Sequence, residues 1–370
     1  MKHTLNILKF SLLSMALSAS ALAYSPILRD FHSVRTAGMG DIRYTVGEYE
    51  ENFFANPARS TENPGNLLQL PQLSFETSSG TIGSISSLIK SGNGLQTFQD
   101  SVGKPLSARA QMVFPAFYKR HFWTDDWSFG IGAFVSAQTI PVLSQSGSID
   151  PTTAIAAGPV LNLSRRLLSE DRLSVGMNLR TEVRASSNSQ FSVQEFLSGT
   201  NLSSAVTGGS GFGADFDLGA SFRPHWTLGH FQYEIDVAVN NLLGGKYTNI
   251  GKPVASWKGD PFATKTAFSF GLSATKKNAW IFDTLVIAIE TTDNGNNTNG
   301  SFYRTLHLGS EAAWKLFRLR TGLNQGYYTA GLGIDLLFLN LNFATYGEEL
   351  GLNPGVMEDR RYALQLGFQI

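Results

Sequence analysis

The chain has 370 residues, of which 42% are hydrophobic and only 16% are charged, and its formal net charge is zero. Soluble globular proteins usually carry about 25% charged residues, and a neutral chain offers no basic face for nucleic acid, which is therefore not expected as a partner. The absence of cysteine excludes a disulfide scaffold, a Cys-based zinc site and a lipidated N-terminal cysteine.

Residues 1–23 have the features of a secretory signal peptide. Lys2 and Lys9 supply positive charge, Phe10–Leu17 supply an apolar centre, and Ala21-Leu22-Ala23 fits the A-x-A cleavage rule. Serines interrupt the apolar run, which falls short of the roughly 20 residues that a spanning helix needs. We expect cleavage near Ala23 and export of the mature chain.

The stretch Val34–Arg59 is too rich in glycine and too irregular to predict a regular strand or helix. Two small-residue turns frame it, Ala37-Gly38-Met39-Gly40 and Asn56-Pro57-Ala58. We interpret residues 24–66 as a plug, or hatch, for the structure that follows. The motif residues of this predicted hatch are Gly38, Met39, Gly40, Asn56, Pro57 and Ala58.

From about Leu70 onward the hydrophobic pattern has a period of two, which predicts strands. Many of these runs span about 9 to 13 residues, longer than the usual five or six and typical of tilted membrane strands. The predicted fold is therefore an all-β, transmembrane antiparallel β-barrel of about 14 strands over residues 67–370, with the N-terminal hatch inside its lumen. The predicted strands are 70–78, 108–120, 126–139, 153–165, 171–185, 212–223, 230–241, 264–276, 281–292, 302–313, 317–324, 328–337, 338–346 and 360–370.

The connections and the tryptophans both indicate a bacterial outer-membrane barrel. Long connections such as 79–107 and 186–211 alternate with short ones such as 121–125 and 166–170, as expected for extracellular loops and periplasmic turns. Five tryptophans lie in or beside the short turns, and Trp257 lies in a long loop. Because indole rings prefer the headgroup level, the five predict a periplasmic girdle: Trp123, Trp127, Trp226, Trp280 and Trp314.

The last ten residues, Arg361–Ile370, resemble the C-terminal signal that the barrel-assembly machinery reads during insertion. Tyr362, Leu364 and Phe368 fall on one face together with Ile370, which stands where phenylalanine is usual. The expected partners are thus this machinery, outer-membrane lipids and a hydrophobic small-molecule ligand.

The two hatch turns resemble those of the superfamily of FadL-type long-chain fatty-acid transporters, which includes PorV-like and TraF-like outer-membrane proteins. Three motifs near the far end of the chain look similar too: Leu308-Gly309, Leu319-Arg320-Thr321-Gly322-Leu323 and Thr329-Ala330-Gly331-Leu332-Gly333-Ile334. The resemblance implies a fourteen-stranded barrel with an N-terminal hatch. In transporting members an apolar ligand is captured outside and moves inward as the hatch shifts, while other members serve as accessory proteins.

No arrangement in the sequence is typical of catalysis. The six histidines lack metal-ligand spacing, and there is no G-x-S-x-G motif. We predict a protein that is not an enzyme and that uses no metal and no cofactor.

If one face of each strand contacts lipid, the other lines the lumen and carries charges. Such charges either select solutes in an open pore or pair with the hatch, because a buried unpaired charge is costly, and we favour pairing with the hatch. The predicted lumenal charges are Arg180, Asp215, Asp217, Glu234, Asp236, Glu290, Arg318, Arg320 and Asp335.

The second to fourth strands suggest a weak part of the wall. Pro115 and Pro159 lie mid-strand, where proline cannot donate to the ladder, and Gly130 and Gly132 permit a kink. Strand parity predicts an inward apolar patch, made of Val113, Phe117 and Phe134. This wall is either a lateral portal with a ligand pocket or a set of bulges that pack against the hatch.

The long loops add apolar residues at helical spacing, in the first loop Ile85, Leu88, Ile89, Leu95, Phe98 and Val102, and in the third Phe191, Val193, Phe196 and Leu197. They predict either a binding groove for an apolar ligand or lids that pack on each other. The predicted function is binding or passive transport of hydrophobic small molecules such as long-chain fatty acids. The alternative is a non-transporting accessory barrel for secretion, conjugation or surface assembly, which the acidic run Glu48–Glu51 favours; a general porin is a weaker third option.

Overall fold

The computed structural model describes residues 26–91, 94–143, 148–168, 173–187, 189, 191–192, 208–249, 259–296 and 300–370. The predicted signal peptide and Trp257 lie outside these ranges, as do Val193, Phe196 and Leu197 of the third loop. Within the described ranges, no helix has the length and apolar character required to cross a membrane.

Fourteen strands form a closed antiparallel barrel, which confirms the predicted fold class. Each strand pairs with the next along the chain, the first pairs with the last, and β9 pairs with β10 to close the sheet. The fourteen are β1 (Leu67–Ser78), β2 (Ala108–Arg120), β3 (Trp127–Leu143), β4 (Ser148–Arg166), β5 (Leu173–Ser187), β7 (Gly209–Phe222), β9 (Phe231–Asn240), β10 (Ala267–Ala279), β11 (Phe282–Asn294), β12 (Leu306–Trp314), β13 (Phe317–Asn324), β14 (Tyr327–Asp335), β15 (Leu339–Glu349) and β16 (Glu358–Gln369). Two short strands, β6 (Phe191–Ser192) and β8 (Thr227–Leu228), lie beside β4 and β9.

The strands lie close to their predicted positions, with one clear difference. The sequence predicts a strand from residue 302, but Phe302–Thr305 form a 3₁₀ turn and β12 begins at Leu306. The Ser301 hydroxyl accepts the Tyr303 N–H and caps this turn, so the local side-chain bond replaces strand pairing there.

The barrel has its apolar side outward and its polar side inward. On β7, Phe212 and Leu218 are exposed, whereas Asp215 and Asp217 between them are buried. Alternation with a period of two places the two sets on opposite faces of the strand. This inversion of a soluble core is what a lipid-facing barrel requires.

The N-terminal segment (residues 26–66) lies inside the barrel. It contains a short helix, α1 (Val34–Gly38), and two 3₁₀ turns, Tyr49–Phe53 and Pro57–Glu62. The turn of helix at α1 differs from the irregular stretch that the sequence predicts. The segment folds compactly because nearly all of its residues from 31 to 61 are buried against the inner wall.

Two further helices rise from the end of the barrel that carries the long loops. They are α2 (Ser79–Ser91) and α3 (Gly94–Ser101), and they occupy the first loop, where apolar spacing predicts helices. Ile85 and Ile89 are exposed on α2; the side chains of Leu88, Leu95 and Phe98 lie outside the description. At the opposite end, the short turns present exposed indole rings, led by Trp280 at 90% exposure.

Candidate functional site

The first turn of the N-terminal segment contacts three strand glycines. A Cβ on Gly331 would lie 2.9 Å from the Gly38 Cα, and one on Gly322 would lie 2.7 Å from the Gly40 nitrogen. A Cβ on Gly309 would lie still closer to the Met39 carbonyl oxygen. Gly40 itself has φ +71°, a conformation that glycine adopts without penalty. The A-G-M-G turn thus docks backbone to backbone on β12, β13 and β14.

The second turn docks on β5 and β7 in the same way. A Cβ on Gly176 would lie 2.5 Å from the Pro57 carbonyl carbon, and one on Gly219 would lie 2.8 Å from the Pro57 Cδ. The Asn56 side chain accepts the Ala58 N–H at 3.1 Å and donates to Asp236 at 2.9 Å. The N-P-A motif is therefore a capped turn held against a lumenal carboxylate.

Gly130 and Gly132 leave space for an aromatic ring of the N-terminal segment. A Cβ on either glycine would lie within 2.9 Å of the Phe53 ring. Val113 and Phe134 belong to the buried cluster around this ring, which also includes Phe31 and Tyr118. The N-terminal segment therefore covers Val113 and Phe134 of the predicted apolar patch. Of the two alternatives predicted for this wall, the arrangement corresponds to packing against the hatch.

The predicted inward position of Phe117 is wrong. Phe117 is 40% exposed and lies on the outer face of β2. The register of β2 against β3 shifts between Val113 and Ala116, so the residues after this bulge reverse their facing. Tyr118 takes the inward position instead and is buried.

Pro115 lies at that bulge, whereas Pro159 lies where the β4–β5 ladder lacks two pairs, between Ala157–Val183 and Val160–Arg180, without a shift of register. The β3–β4 ladder between them is continuous from Trp127–Arg165 to Leu143–Ile149. Pro115 thus marks a bulge, and Pro159 marks a gap in the ladder, of a wall that is otherwise paired.

The predicted lumenal charges have two kinds of partner. Four contact the N-terminal segment. Glu234 and Asp236 face Arg59 at 2.8 and 3.7 Å. Arg180 faces Asp30 at 3.6 Å, and Glu290 accepts the backbone N–H groups of Arg43 and Thr45. The others pair within the wall, where Arg318 binds Asp335, Arg320 binds Glu311, Asp217 binds Arg180, and Asp215 accepts backbone N–H groups of residues 243 and 245.

A histidine of the N-terminal segment joins two carboxylates in a fully buried position. His32 Nδ1 lies 2.8 Å from Glu76 on β1, and His32 Nε2 lies 3.0 Å from Asp41. Burial lowers the pKa of His32, but the two carboxylates outweigh it and the pKa is raised. Each ring nitrogen faces a carboxylate, and His32 ties the N-terminal segment to β1 through Glu76.

A cavity of about 530 Å³ lies between the N-terminal segment and the long-loop end of the barrel. Apolar and aromatic side chains form part of its lining, and arginines and aspartates form the rest. The lining includes Leu28, Phe31, Tyr44, Phe54 and Phe262 together with Arg29, Asp30, Arg43, Arg180, Arg184, Asn240, Asn241, Thr264 and Asp293.

The arginines of the cavity are held by acidic partners. Arg29 and Arg43 share Asp293 at 2.8 Å each, and Arg184 binds Asp30 and Glu182. The described residues hold no group of three His, Cys, Asp or Glu side chains suited to a metal ion. The cavity lining thus combines apolar side chains with arginines that are already paired to acidic groups.

Sequence reasoning identified Arg180 but missed most of this lining. Phe31 and Phe54 lie in the irregular N-terminal segment, and Phe262 lies in a long loop, so none of them has a periodic signal. The one available signal was that aromatic residues are unusual in an irregular, buried segment.

No family model matches the sequence, and no curated protein matches it. Solved structures do match. The chain superposes on a TodX monoaromatic hydrocarbon channel lacking S2 with a TM-score of 0.51 and 13% identity, covering 92% of this chain and 98% of that one. The CymD monoaromatic hydrocarbon channel superposes with a TM-score of 0.51 and 12% identity, covering 94% of this chain and 97% of that one. A Pseudomonas aeruginosa FadL homologue covers 94% and 98%, with 9% identity and a TM-score of 0.37.

The chain has the fold of the FadL-type channels. At this level of identity the likeness concerns the fold, and it agrees with the resemblance that the two turns and the strand glycines indicated. Three strand glycines of the motifs that carried this resemblance lie where the N-terminal segment meets the wall: Gly309, Gly322 and Gly331.

Proposed function

We propose that the chain is an outer-membrane channel that binds hydrophobic small molecules and lets them pass inward without an energy source. The cavity at the long-loop end carries this proposal. Its volume lies within the roughly 300–1,000 Å³ of typical small-molecule sites, and phenyl rings and arginines share its lining. The apolar outer face and the FadL-type fold support an outer-membrane location.

The ligand class follows from that lining. Phe31, Phe54 and Phe262 suit an apolar body, while Arg43 and Asn241 suit a polar end. Long-chain fatty acids have this chemistry, and so do small aromatic compounds with a polar group. The structural neighbours are named for monoaromatic hydrocarbons, which supports compact ligands as the first to test.

Replacing Phe262 by alanine tests the cavity with little risk to the barrel, because Phe262 is half-buried and lies in a loop. Burying a phenyl side chain contributes about 1.5–3 kcal/mol, so we expect affinity to fall by about tenfold or more. Calorimetric titration of purified protein in detergent with toluene and with oleic acid measures this. Phe268→Ala is the matched control, since Phe268 is 55% exposed on the outer face and its loss should leave affinity unchanged. Equal affinities for all three proteins would contradict the cavity assignment.

The accessory role remains the second candidate because of one feature at the short-turn end. Glu48, Glu50 and Glu51 line a recess there of about 300 Å³ together with Arg35 and Arg318, a charged surface suited to a protein partner. Native mass spectrometry of gently extracted protein separates the two roles. A bound lipid or aromatic compound supports the channel; a stoichiometric protein partner with no small molecule supports the accessory role.

A further inference from the structure

Asp30 is a carboxylate of the N-terminal segment that lines the cavity. Its side chain is only 9% exposed and lies against two arginines of β5. It accepts a hydrogen bond from Arg184 and lies 3.6 Å from Arg180, and both arginines line the cavity as well. The segment therefore places a negative charge of its own inside the space that the proposed function assigns to the ligand.

The arginines of the wall do not need this charge. Arg180 donates to Asp217 on β7 through two nitrogens, at 3.0 Å each, and Arg184 donates to Glu182 at 3.1 Å. These two cations and two carboxylates balance one another before Asp30 is counted. With Asp30 the group holds three carboxylates, and a buried charge without a counter-charge costs free energy. Such a departure from the most stable arrangement is expected where function requires it.

The other arginines of the cavity also have acidic partners. Arg29 and Arg43 share Asp293, and Arg29 further contacts Asp41 at 2.9 Å and Glu348 at 3.3 Å. Thus each arginine of the described lining already has a carboxylate partner. A ligand carboxylate would lose its hydration in this cavity without gaining an unpaired cation in return, which is unfavourable.

The uncharged polar groups of the lining set a milder condition. Asn240 accepts the Tyr44 hydroxyl at 2.9 Å and donates to the Ala55 carbonyl at 3.0 Å. Among the buried side-chain nitrogen and oxygen atoms of the described lining, Arg43 Nε is the one without a hydrogen-bond partner. An uncharged acceptor, such as a hydroxyl oxygen, would satisfy it. The polar part of the lining therefore matches an uncharged ligand.

We infer that Asp30 is a specificity-determining residue, whose carboxylate gives the cavity an excess of negative charge, so that the cavity admits uncharged hydrophobic molecules and rejects carboxylates. This inference rests on the proposed function and narrows its ligand class. Of the ligands that the lining suits, small uncharged aromatic compounds meet the condition, whereas ionised fatty acids do not. The repulsion weakens with distance, so it acts most strongly on a carboxylate that approaches Arg180 or Arg184.

Phenylethanol and phenylacetate test this discrimination, because they share the phenyl ring and the chain length and differ in charge. Calorimetric titration of purified protein in detergent at neutral pH gives the ratio of the two affinities. We expect the unmodified protein to bind phenylethanol about tenfold more tightly than phenylacetate. Asp30→Asn removes one like charge and keeps the shape of the side chain, so its affinity for phenylacetate should rise by about tenfold while that for phenylethanol stays the same.

Two further variants separate charge from structure. Asp30→Glu keeps the charge and should keep the rejection of phenylacetate, which a purely structural role of this side chain does not predict. Asp125→Asn removes the same unit of charge from a short turn at the opposite end of the barrel, where the Asp125 side chain is 97% exposed. This matched control should leave both affinities unchanged.

Glu182→Gln provides a second test that does not depend on how Asp30→Asn folds, since it removes another carboxylate from the same arginines. It should shift the ratio of affinities in the same direction as Asp30→Asn. An unchanged ratio in folded Asp30→Asn or in folded Glu182→Gln, or equal affinities of the unmodified protein for the two compounds, would overturn the role of Asp30. If the unmodified protein binds neither compound, the proposed function itself fails.

Discussion

At the scale of single residues, the N-terminal segment is fixed by charges that have no contact with water. Glu76 illustrates this, because it contacts His32 at 2.8 Å, Arg109 at 3.1 Å and the Tyr346 hydroxyl at 2.6 Å while being 3% exposed. A buried ion pair contributes little when complete, but removing one partner leaves an uncompensated charge. The segment and the wall are therefore interdependent at this point.

We predict that Glu76→Gln destabilises the barrel by about 3 kcal/mol, because His32 and Arg109 lose their shared counter-charge. The measurement is the urea concentration at which folded protein, run unboiled on a detergent gel, converts to the slower unfolded band. Glu358→Gln is the control, since Glu358 pairs with Arg360 at an exposed site where such pairs contribute about 0–1 kcal/mol. A similar shift in both variants would show that the buried position has no special importance.

At the scale of elements, glycines in the strands determine where the N-terminal segment lies. Gly309, Gly322 and Gly331 receive the first turn, and Gly176 and Gly219 receive the second. They belong to strands on well-separated parts of the barrel, so the segment bridges the lumen rather than lining one side. The contacts of Gly176, Gly309, Gly322 and Gly331 are with backbone atoms, and Gly219 leaves space for the Asn56 and Pro57 side chains. A residue with a Cβ would not allow these close approaches.

Gly322→Ala should loosen this docking, because the added Cβ would lie 2.7 Å from the Gly40 nitrogen and close to the Leu308 carbonyl. Overpacking of this kind costs about 1–3 kcal/mol. Limited proteolysis from the short-turn side should then cut the N-terminal segment faster while the barrel stays resistant.

Gly367→Ala is the matched control for that experiment. Gly367 lies on β16, and a Cβ there would meet nothing closer than 3.5 Å. Its cleavage rate should equal that of the unmodified protein. Equal rates for Gly322→Ala as well would mean that the segment is held by its charges alone.

At the scale of the whole molecule, the question is which part of the wall can open. The sequence points to β2–β4, where two prolines interrupt the ladder. The structure shows a cluster of aromatic and aliphatic side chains behind that wall, to which the N-terminal segment contributes Phe31 and Phe53.

Replacing Pro115 and Pro159 by valine should leave uptake of N-phenyl-1-naphthylamine unchanged, because Phe53 and Phe134 block that wall from inside whether or not the ladder is complete. The measurement is the fluorescence of this dye, which rises when the dye enters phospholipid, in Gram-negative cells that carry the protein in their outer membrane. A loss of uptake in this double variant would restore the portal that the prolines suggest.

The sequence by itself determined the barrel. Alternation with a period of two, strand length and the spacing of turns are local properties, so they predicted fourteen strands, their facing and their ends. The same locality explains the error at Phe117, because a bulge after Val113 reverses the facing of later residues and leaves no mark in the alternation.

Only the tertiary structure decided what occupies the lumen. The cavity, the glycine contacts and the His32 bridge join residues that are far apart in the chain, such as His32 with Glu76 and Gly40 with Gly322. In the same way, β9 ends at Asn240 while β7 continues beyond its last pair with β9, a mismatch that neither strand shows alone. Periodicity specifies which face a side chain takes, whereas contacts across the lumen depend on how the closed sheet brings distant residues together.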